Sequence, residues 1–498
     1  MSRLAPAAIG AILLAYLLSC VLAWVEPSWD PDWDSALYIL TARSLARGEG
    51  YTYLDRPFFV RPPGLSWLIA AALPDGAFDP LRLNRLVMAW AGLAVAAVYF
   101  AVRALAPRGT SLAVALLTGT SFLFASRFNR VESEFPFLAL LFLAAGLFQR
   151  ISGSPRRAWL AALASGLALA AALYVRTAAL VALPGILFLA LRGPRAGAAA
   201  RLCRALPALL ALALLLPWLA WAREAVAVAE RPAEQLKLFD YPTAVFRVDA
   251  GDPDSPLVPL SDWAARVGSN GRALLSGLAH TCLGAGGVAS QAALLALVAL
   301  GLARASRLRS SLLAWFAGGY AALLLVYFTS HPRLILPLVP PVYLALLEGG
   351  SALAAGLRAR LAGRDPLPPD LASALLAAAL LGVNAWQWPG RSPELEGEWR
   401  VVFEAAELVK RHLPPDAVLV ADAAPIFAVL TDRRVYTFRH PRFGNVLDRY
   451  EPDALILHFD HPSTESAREM VFGATRKRWV PSRRLTRGHI QGYEPRDG

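Results

Sequence analysis

Trp29-Asp-Pro-Asp-Trp-Asp-Ser-Ala-Leu-Tyr38 sets three carboxylates, Asp30, Asp32 and Asp34, a few residues beyond an uncharged run from Leu4 to Val25. About 20 apolar residues are enough to cross a bilayer, so these acids stand at a membrane surface. Arg61-Pro-Pro-Gly64 follows, a cation on a rigid turn, and leads into another apolar run. Acids and a fixed cation at the mouth of a membrane protein point to chemistry on a charged lipid.

The composition agrees. Of 498 residues, 56% are hydrophobic and only 17% are charged, against roughly 25% charged in a typical soluble domain. The chain reads as an integral membrane protein. Its net charge of +12 would hint at nucleic acid on a soluble protein. Here arginines that hold cytoplasmic loops account for it, and no nucleic-acid partner is expected. Cys20, Cys203 and Cys282 lie scattered in or beside apolar runs, which suggests neither a disulfide framework nor a metal site. Ala23-Trp-Val-Glu26 is a poor cleavage site for a signal peptidase, so the first helix is expected to be retained.

Eleven uncharged runs read as spans. They are Leu4–Val25, Leu86–Val102, Gly109–Ser126, Phe135–Gln149, Ala158–Val175, Thr177–Leu191, Ala205–Ala222, Ala273–Ala303, Ser310–Ser330, Leu334–Leu347 and Leu371–Gly390. Phe135–Gln149, Thr177–Leu191 and Leu334–Leu347 need flanking residues to reach across, and Pro62–Pro74 reads as interfacial or re-entrant. With the N-terminus inside, the cytoplasmic connections carry arginines at 103, 108, 150, 156, 157, 192, 195, 201, 204, 304, 307, 309, 358, 360 and 364. Only Glu348, Asp365 and Asp370 oppose them. That is the positive-inside asymmetry. It puts the Asp30–Asp34 loop, the segment Arg223–Arg272 and everything after Gly390 outside. The expected location is a bacterial inner membrane with an extracytoplasmic C-terminus.

Residues 1–390 thus read as an all-α polytopic membrane domain. Residues 391–498 change character and read as a small extracytoplasmic α/β domain. Val401, Val402, Ala405, Leu408 and Val409 share one helical face within Glu398–His412. Ala417–Ala421 and Ala454–His458 read as buried strands. Asp422, His440, His458 and His461 offer reactive groups there, with surface or turn roles as the plainer reading. Arg223–Arg272 reads as an external loop with one or two short helices.

Five constellations carry candidate chemistry. Asp30-Pro-Asp32-Trp-Asp34 has the pattern of a solvated loop capping a helix near Ser35, with Asp34 as N-cap. It also has the pattern of a general base, or of a carboxylate pair (Asp32 and Asp34) holding a divalent cation through hard oxygens. In the helix Ser35–Arg47, residues Leu37, Leu40, Thr41 and Leu45 are available to lie against the membrane. Arg61-Pro-Pro-Gly64 suits a plain turn into an apolar helix, or a phosphate held at a helix N-terminus with a bidentate arginine. Arg127-Phe-Asn-Arg130-Val-Glu132-Ser-Glu134 runs two acids into an apolar stretch. Acids suit a helix N-terminus, but Glu134 directly abuts Phe135-Pro-Phe, and ionisable groups at membrane depth are functional candidates. Arg176 interrupts one apolar stretch, and Arg333, in Ser330-His331-Pro-Arg333, occupies another outer turn. A single arginine of this kind snorkels to headgroups. Here Asp34, Arg61, Glu134, Arg176 and Arg333 all reach the external face.

These residues resemble a known family. Asp34-Ser-Ala-Leu-Tyr38, Ala42-Arg-Ser-Leu-Ala-Arg-Gly48-Glu-Gly-Tyr51 and Arg61-Pro-Pro-Gly64 resemble the first external loop of the GT-C glycosyltransferases that use polyprenyl-phosphate sugars. The likeness is to the protein O-mannosyltransferase and lipid A aminoarabinose transferase group, glycosyltransferase family 39. Ser133-Glu134-Phe-Pro136, Tyr174-Val-Arg-Thr177 and His331-Pro-Arg333-Leu-Ile-Leu-Pro337 resemble its later motifs, in order, over about residues 26–345.

The resemblance implies a GT-C fold of about eleven transmembrane helices, with two interfacial external helices. It implies sugar transfer from a polyprenyl-phosphate donor to a protein, lipid or glycan acceptor, with inversion. Asp34 is then the catalytic carboxylate and Glu134 the second acid. Arg61, Arg176 and Arg333 hold the donor phosphate. Asp30, Asp32, Tyr38 and His331 are further candidates. Some relatives place a metal at the equivalent acid and others need none. The family's Lys-Pro-Pro is Arg61-Pro-Pro here, which keeps the charge and changes its geometry. Two other classes stay open: an O-antigen ligase or polymerase-like enzyme, and a transporter or flippase of lipid-linked substrates.

Overall fold

The apolar runs become helices because a bilayer requires every backbone N–H and C=O to be satisfied within the segment. The computed structural model describes residues 5–151, 154–192, 197–228, 245–248, 255–360, 369–388, 397–421, 423–437, 451–458, 479–487 and 490–495. The first half comprises α1 (Pro6–Leu18, continued by a π-turn Ser19–Ala23), α2 (Trp33–Ala46), α3 (Gly64–Ala72), α4 (Pro80–Val102) and α5 (Arg108–Thr120). Then come α6 (Glu134–Phe148), α7 (Pro155–Val175), α8 (Ala182–Leu191, after a 3-10 turn Thr177–Val181) and α9 (Ala198–Val228). The second half comprises α10 (Leu260–Leu283), α11 (Val288–Arg304), α12 (Leu312–Val326), α13 (Val339–Arg360, after a 3-10 segment Pro332–Leu338) and α14 (Pro369–Gln387).

Among the described residues, five helices are long and apolar enough to cross a membrane. Exposed Leu160, Leu163 and Leu167 line one face of α7, as a lipid-facing helix requires. The chain is an integral membrane protein. The expected count of about eleven spans does not emerge from these lengths. Glu134–Phe148, Thr177–Leu191, Leu312–Val326 and Leu371–Gln387 are apolar but short. The run Ala273–Ala303 is not one straight helix. It divides into α10 and α11, bent by 81°, because Gly284 takes a left-handed φ of 81° and ends α10. The segment expected as a loop over Arg223–Arg272 is largely helical where described, since α9 runs on to Val228 and α10 begins at Leu260.

α2 and α3 are short helices between α1 and α4. Leu37 and Thr41 do not face lipid as the sequence suggested. Both are buried in protein, and Thr41 Oγ1 lies 2.8 Å from Ser66 Oγ of α3. The N-cap of α2 is Asp32 rather than Asp34, with the Asp32 N–H donating to Ser35 Oγ at 3.0 Å. Asp34 therefore sits inside the first turn, with its carboxylate free for other partners.

After α15 (Gly397–His412) comes a five-stranded sheet of β1 (Val418–Ala421), β2 (Arg434–Thr437), β3 (Ala454–His458), β4 (Trp479–Arg487) and β5 (Ile490–Pro495). Its order is β2-β1-β3-β5-β4. β1 pairs in parallel with β2 and β3, and β5 pairs antiparallel with β3 and β4. Helix α16 (Ala424–Thr431) connects β1 to β2 and packs on α2. Asp422, His440 and His461 lie outside the described residues, as does the side chain of His458. A tether fixes α16 to α2: buried Arg43 donates to Asp432 Oδ1 at 2.9 Å, the Val429 carbonyl at 3.2 Å and the Gly76 carbonyl at 3.2 Å. Arg47 reaches the other Asp432 oxygen at 2.7 Å.

Candidate active site

The loop ahead of α2 is pinned by two asparagines. Asn84 of α4 donates to the Glu26 and Ser28 carbonyls at 2.9 and 2.7 Å. Asn129 donates to the Trp24 carbonyl at 2.9 Å and accepts from the Glu26 N–H at 3.0 Å. Its φ of 58° is one that asparagine tolerates. Pinning this loop fixes where α2 begins, and so where Asp34 points.

α3 begins at Gly64, after Pro63 as N-cap. A β-carbon at Gly64 would lie 2.5 Å from the Tyr174 carbonyl oxygen, so only glycine lets α3 approach the end of α7 this closely. That approach brings Arg61 toward Arg176, which caps α7. Tyr51 Oη donates to the Arg61 carbonyl at 3.1 Å, and the Arg61 guanidinium lies 5.3 Å from the Tyr38 ring centre. Arg61 is itself buried.

Four acids and four arginines meet here. Asp34 Oδ1 pairs with Arg61 Nη2 at 2.6 Å, and Oδ2 with Arg333 Nη2. Arg333 Nη1 also lies 3.2 Å from both Asp32 Oδ2 and Glu132 Oε1, and its Nε lies 3.8 Å from Glu134 Oε1. Arg176 pairs with Glu134 at 2.7 Å, and Arg127 with Glu132 at 3.5 Å. Glu132 and Glu134 are each only 3% exposed, and the Oε2 atom of each has no hydrogen-bond partner among the described residues. Arg333 stands in the 3-10 segment before α13, where its N–H donates to His331 Nδ1 at 3.3 Å. A cavity of about 210 Å³ opens beside this cluster, lined by Asp34, Tyr38, Arg61, Arg176, His331 and Arg333, with Val60, Tyr327 and Phe328 among its apolar walls.

Burial opposes the charge of Asp34, but Arg61 and Arg333 outweigh it and hold the carboxyl well below the usual range. Glu132 goes the other way: burial first, then the neighbouring Glu134 charge, push it up to about 7. Burial and the Arg333 charge lower His331, which keeps its imidazole neutral at neutral pH.

The candidates singled out between Asp30 and Arg333 fall in one place, with one exception. Asp30 turns aside to Arg130 at 2.7 Å and does not line the cavity. Asp32 joins the cluster through Arg333 while capping α2. Glu132 was left unassigned by the sequence reading, which favoured Glu134. The structure buries both equally, and their spacing of two residues at the mouth of an apolar run was the available signal. Among the described residues, no group of three or more His, Cys, Asp or Glu side chains is placed to hold a metal. Asp32 and Asp34, the pair the sequence offered for one, are turned to arginines instead, so this donor set as arranged does not fit a cation.

Residues 60–221 match the family described as dolichyl-phosphate-mannose-protein mannosyltransferase. No curated protein matches the sequence. Among solved structures, ArnT from Cupriavidus metallidurans in the apo state superposes with a TM-score of 0.59 at 13% identity, covering 98% of both chains. The same protein bound to undecaprenyl phosphate gives 0.57 at 14% identity, again over 98% of both. The archaeal oligosaccharyltransferase AglB from Archaeoglobus fulgidus, in complex with an inhibitory peptide and a dolichol-phosphate, gives 0.55 at 12% identity. That match covers 98% of this chain and 74% of AglB. The chain thus has the fold of these GT-C glycosyltransferases, and its residues 60–221 are similar to the dolichyl-phosphate-mannose-protein mannosyltransferase family.

Proposed function

We propose that the protein transfers a sugar from a polyprenyl-phosphate donor to an acceptor on the extracytoplasmic face, with inversion at the anomeric carbon. The observation that carries this reading is the pairing of Asp34 with both Arg61 and Arg333 at the edge of the cavity. A sugar phosphate needs cations for its phosphate and a carboxylate beside its anomeric carbon, and this arrangement supplies both. The acceptor heteroatom attacks the anomeric carbon, and the bond from that carbon to the phosphate oxygen breaks. Charge then developing on the polyprenyl phosphate falls to Arg61 and Arg333, with Arg176 behind them. The acceptor proton goes to Asp34. Held well below the usual range, Asp34 is a weak base at rest. A donor phosphate that draws Arg61 and Arg333 toward itself removes the charges that depress Asp34. Donor binding thereby raises the basicity of the carboxylate that the reaction uses.

The apolar walls of the cavity suit the polyprenyl tail. Every group in the cluster stands on the side that the charge asymmetry puts outside, which argues against a transporter, whose charges lie near the bilayer midplane. Domain 1–390 would carry the chemistry, with 391–498 a separate external domain, the N-terminus cytoplasmic, and the membrane a bacterial inner membrane.

The test is a donor titration with Arg61 variants. Arg61→Ala is expected to raise the donor KM by about tenfold or more, the effect of losing a charge-assisted hydrogen bond, while Arg61→Lys recovers part of it. Equal donor KM for the two variants would remove Arg61 from phosphate contact. The pH dependence supplies a second test. Protonation of Glu132 below about 7 removes an anion beside Arg333. The donor KM is therefore expected to fall as pH drops from 8.5 to 5.5, as measured by transfer assays across that range. Glu132→Gln should flatten that limb, and a wild-type limb surviving unchanged in the variant would assign it elsewhere.

A further inference from the structure

At the end of the bundle away from the active site, α11 and α13 approach as closely as two helices can. A β-carbon at Gly301 would run into the Ala345 carbonyl, and one at Gly349 into the Leu297 carbonyl, the small-residue packing of membrane helices. Just past this contact α11 ends at Arg304, the chain breaks direction at Ala305, and a single turn Ser306–Arg309 follows. A second cavity of about 210 Å³ opens there, lined by Arg304, Ser306, Arg307 and Glu348, with Leu105 and Leu344 on its apolar side. Glu348 follows Arg333 by some 15 residues of the same span, roughly 22 Å at helical rise, so this is not the active site.

Charges of both signs face this space without meeting. Among the described residues, Arg304, Arg307 and Glu348 make no ion pair or side-chain hydrogen bond with one another or with other groups. The arginines alone are what positive-inside loops supply. Glu348 is different: it is half-buried on an apolar span, where an unmatched carboxylate is costly. Opposite charges held apart across a cavity fit a ligand that carries both.

We propose that this cavity binds the phosphoethanolamine headgroup of a membrane phospholipid. Its phosphate lies on Arg304 and Arg307, its ammonium on Glu348, and its acyl chains leave past the half-buried Leu105. The amine must donate hydrogen bonds to the carboxylate, so a quaternary choline is a poorer fit and an uncharged glycerol headgroup leaves Glu348 unmatched.

Native mass spectrometry on the full-length protein reads the result directly, after exchange into mixtures of phosphatidylethanolamine, phosphatidylcholine and phosphatidylglycerol. Wild type should retain phosphatidylethanolamine over the other two by about tenfold, the effect of one charge-assisted contact. Glu348→Gln, nearly isosteric, should lose that preference while still retaining lipid. Arg304→Gln with Arg307→Gln should lose retention of all three. Soluble phosphoethanolamine distinguishes the source: if it displaces the lipid at millimolar concentration, the headgroup alone is recognised, and if not, the acyl chains are part of the site. Retention by wild type that ignores the headgroup, or a preference unchanged in Glu348→Gln, would overturn the proposal.

Discussion

Asp34→Asn is expected to lower sugar transfer by about three orders of magnitude, the middle of the range for losing a positioned proton acceptor, in a protein that still folds. The amide keeps the size of the carboxylate but cannot take the acceptor proton, and it offers N–H groups to an arginine that needs an acceptor. Arg333 retains Asp32, Glu132 and Glu134 as partners, which is why the fold should survive. The measurement is transfer of radiolabelled sugar from synthetic polyprenyl-phosphate donors in membranes, wild type beside variant, with a thermal melt of each. A folded Asp34→Asn protein with wild-type transfer would end the assignment of Asp34 as the catalytic carboxylate.

Arg333→Ala should have the largest effect on stability. Arg333 touches Asp32, Asp34, Glu132 and Glu134, and the two glutamates are almost wholly buried. Breaking a buried ionic network by removing one partner costs about 3–5 kcal/mol. The deficit should depend on pH, in a direction that follows from proton linkage. A carboxyl whose folded pKa lies above its unfolded value binds its proton more tightly when folded, so stability falls as pH rises between the two values. Glu132 already sits at about 7 with Arg333 present, and loss of that cation pushes it higher. The variant should therefore melt closest to wild type near pH 5.5 and furthest below it near pH 8.5. A difference in melting temperature that stays constant over that range would mean that the acids are not what Arg333 neutralises.

The sequence disclosed the charged cluster better than the architecture around it. Asp34, Arg61, Glu134, Arg176 and Arg333 were legible because charges are rare in an apolar chain, and each one interrupts or borders an apolar run. Their convergence needed the fold, since Arg333 and Asp34 are 299 positions apart. Glu132 was not separable from Glu134 by sequence, because burial of both depends on how the turn at Asn129 folds back on the α1–α2 loop. The cap of α2 was misread by two residues, as Asp32 and Asp34 are chemically identical candidates and only backbone angles choose between them. The break within Ala273–Ala303 was missed for a related reason. A run without charge says where a helix is cheap in a bilayer, not where it breaks. Gly284-Ala-Gly-Gly287 carried that break openly, yet uncharged glycines count as apolar when runs are tallied by charge.

The Arg43–Asp432 tether sets an order of events during synthesis. Its two residues are 389 positions apart, and at about 5–20 residues per second the ribosome needs roughly 20–80 s to travel from one to the other. For that interval α2 exists in the membrane without the contact that holds its far end. A nascent chain can therefore carry α2 well before that contact forms. Chains that end before Val429 lack both the Asp432 carboxylate and the Val429 carbonyl, and leave Arg43 only the Gly76 carbonyl of these three partners.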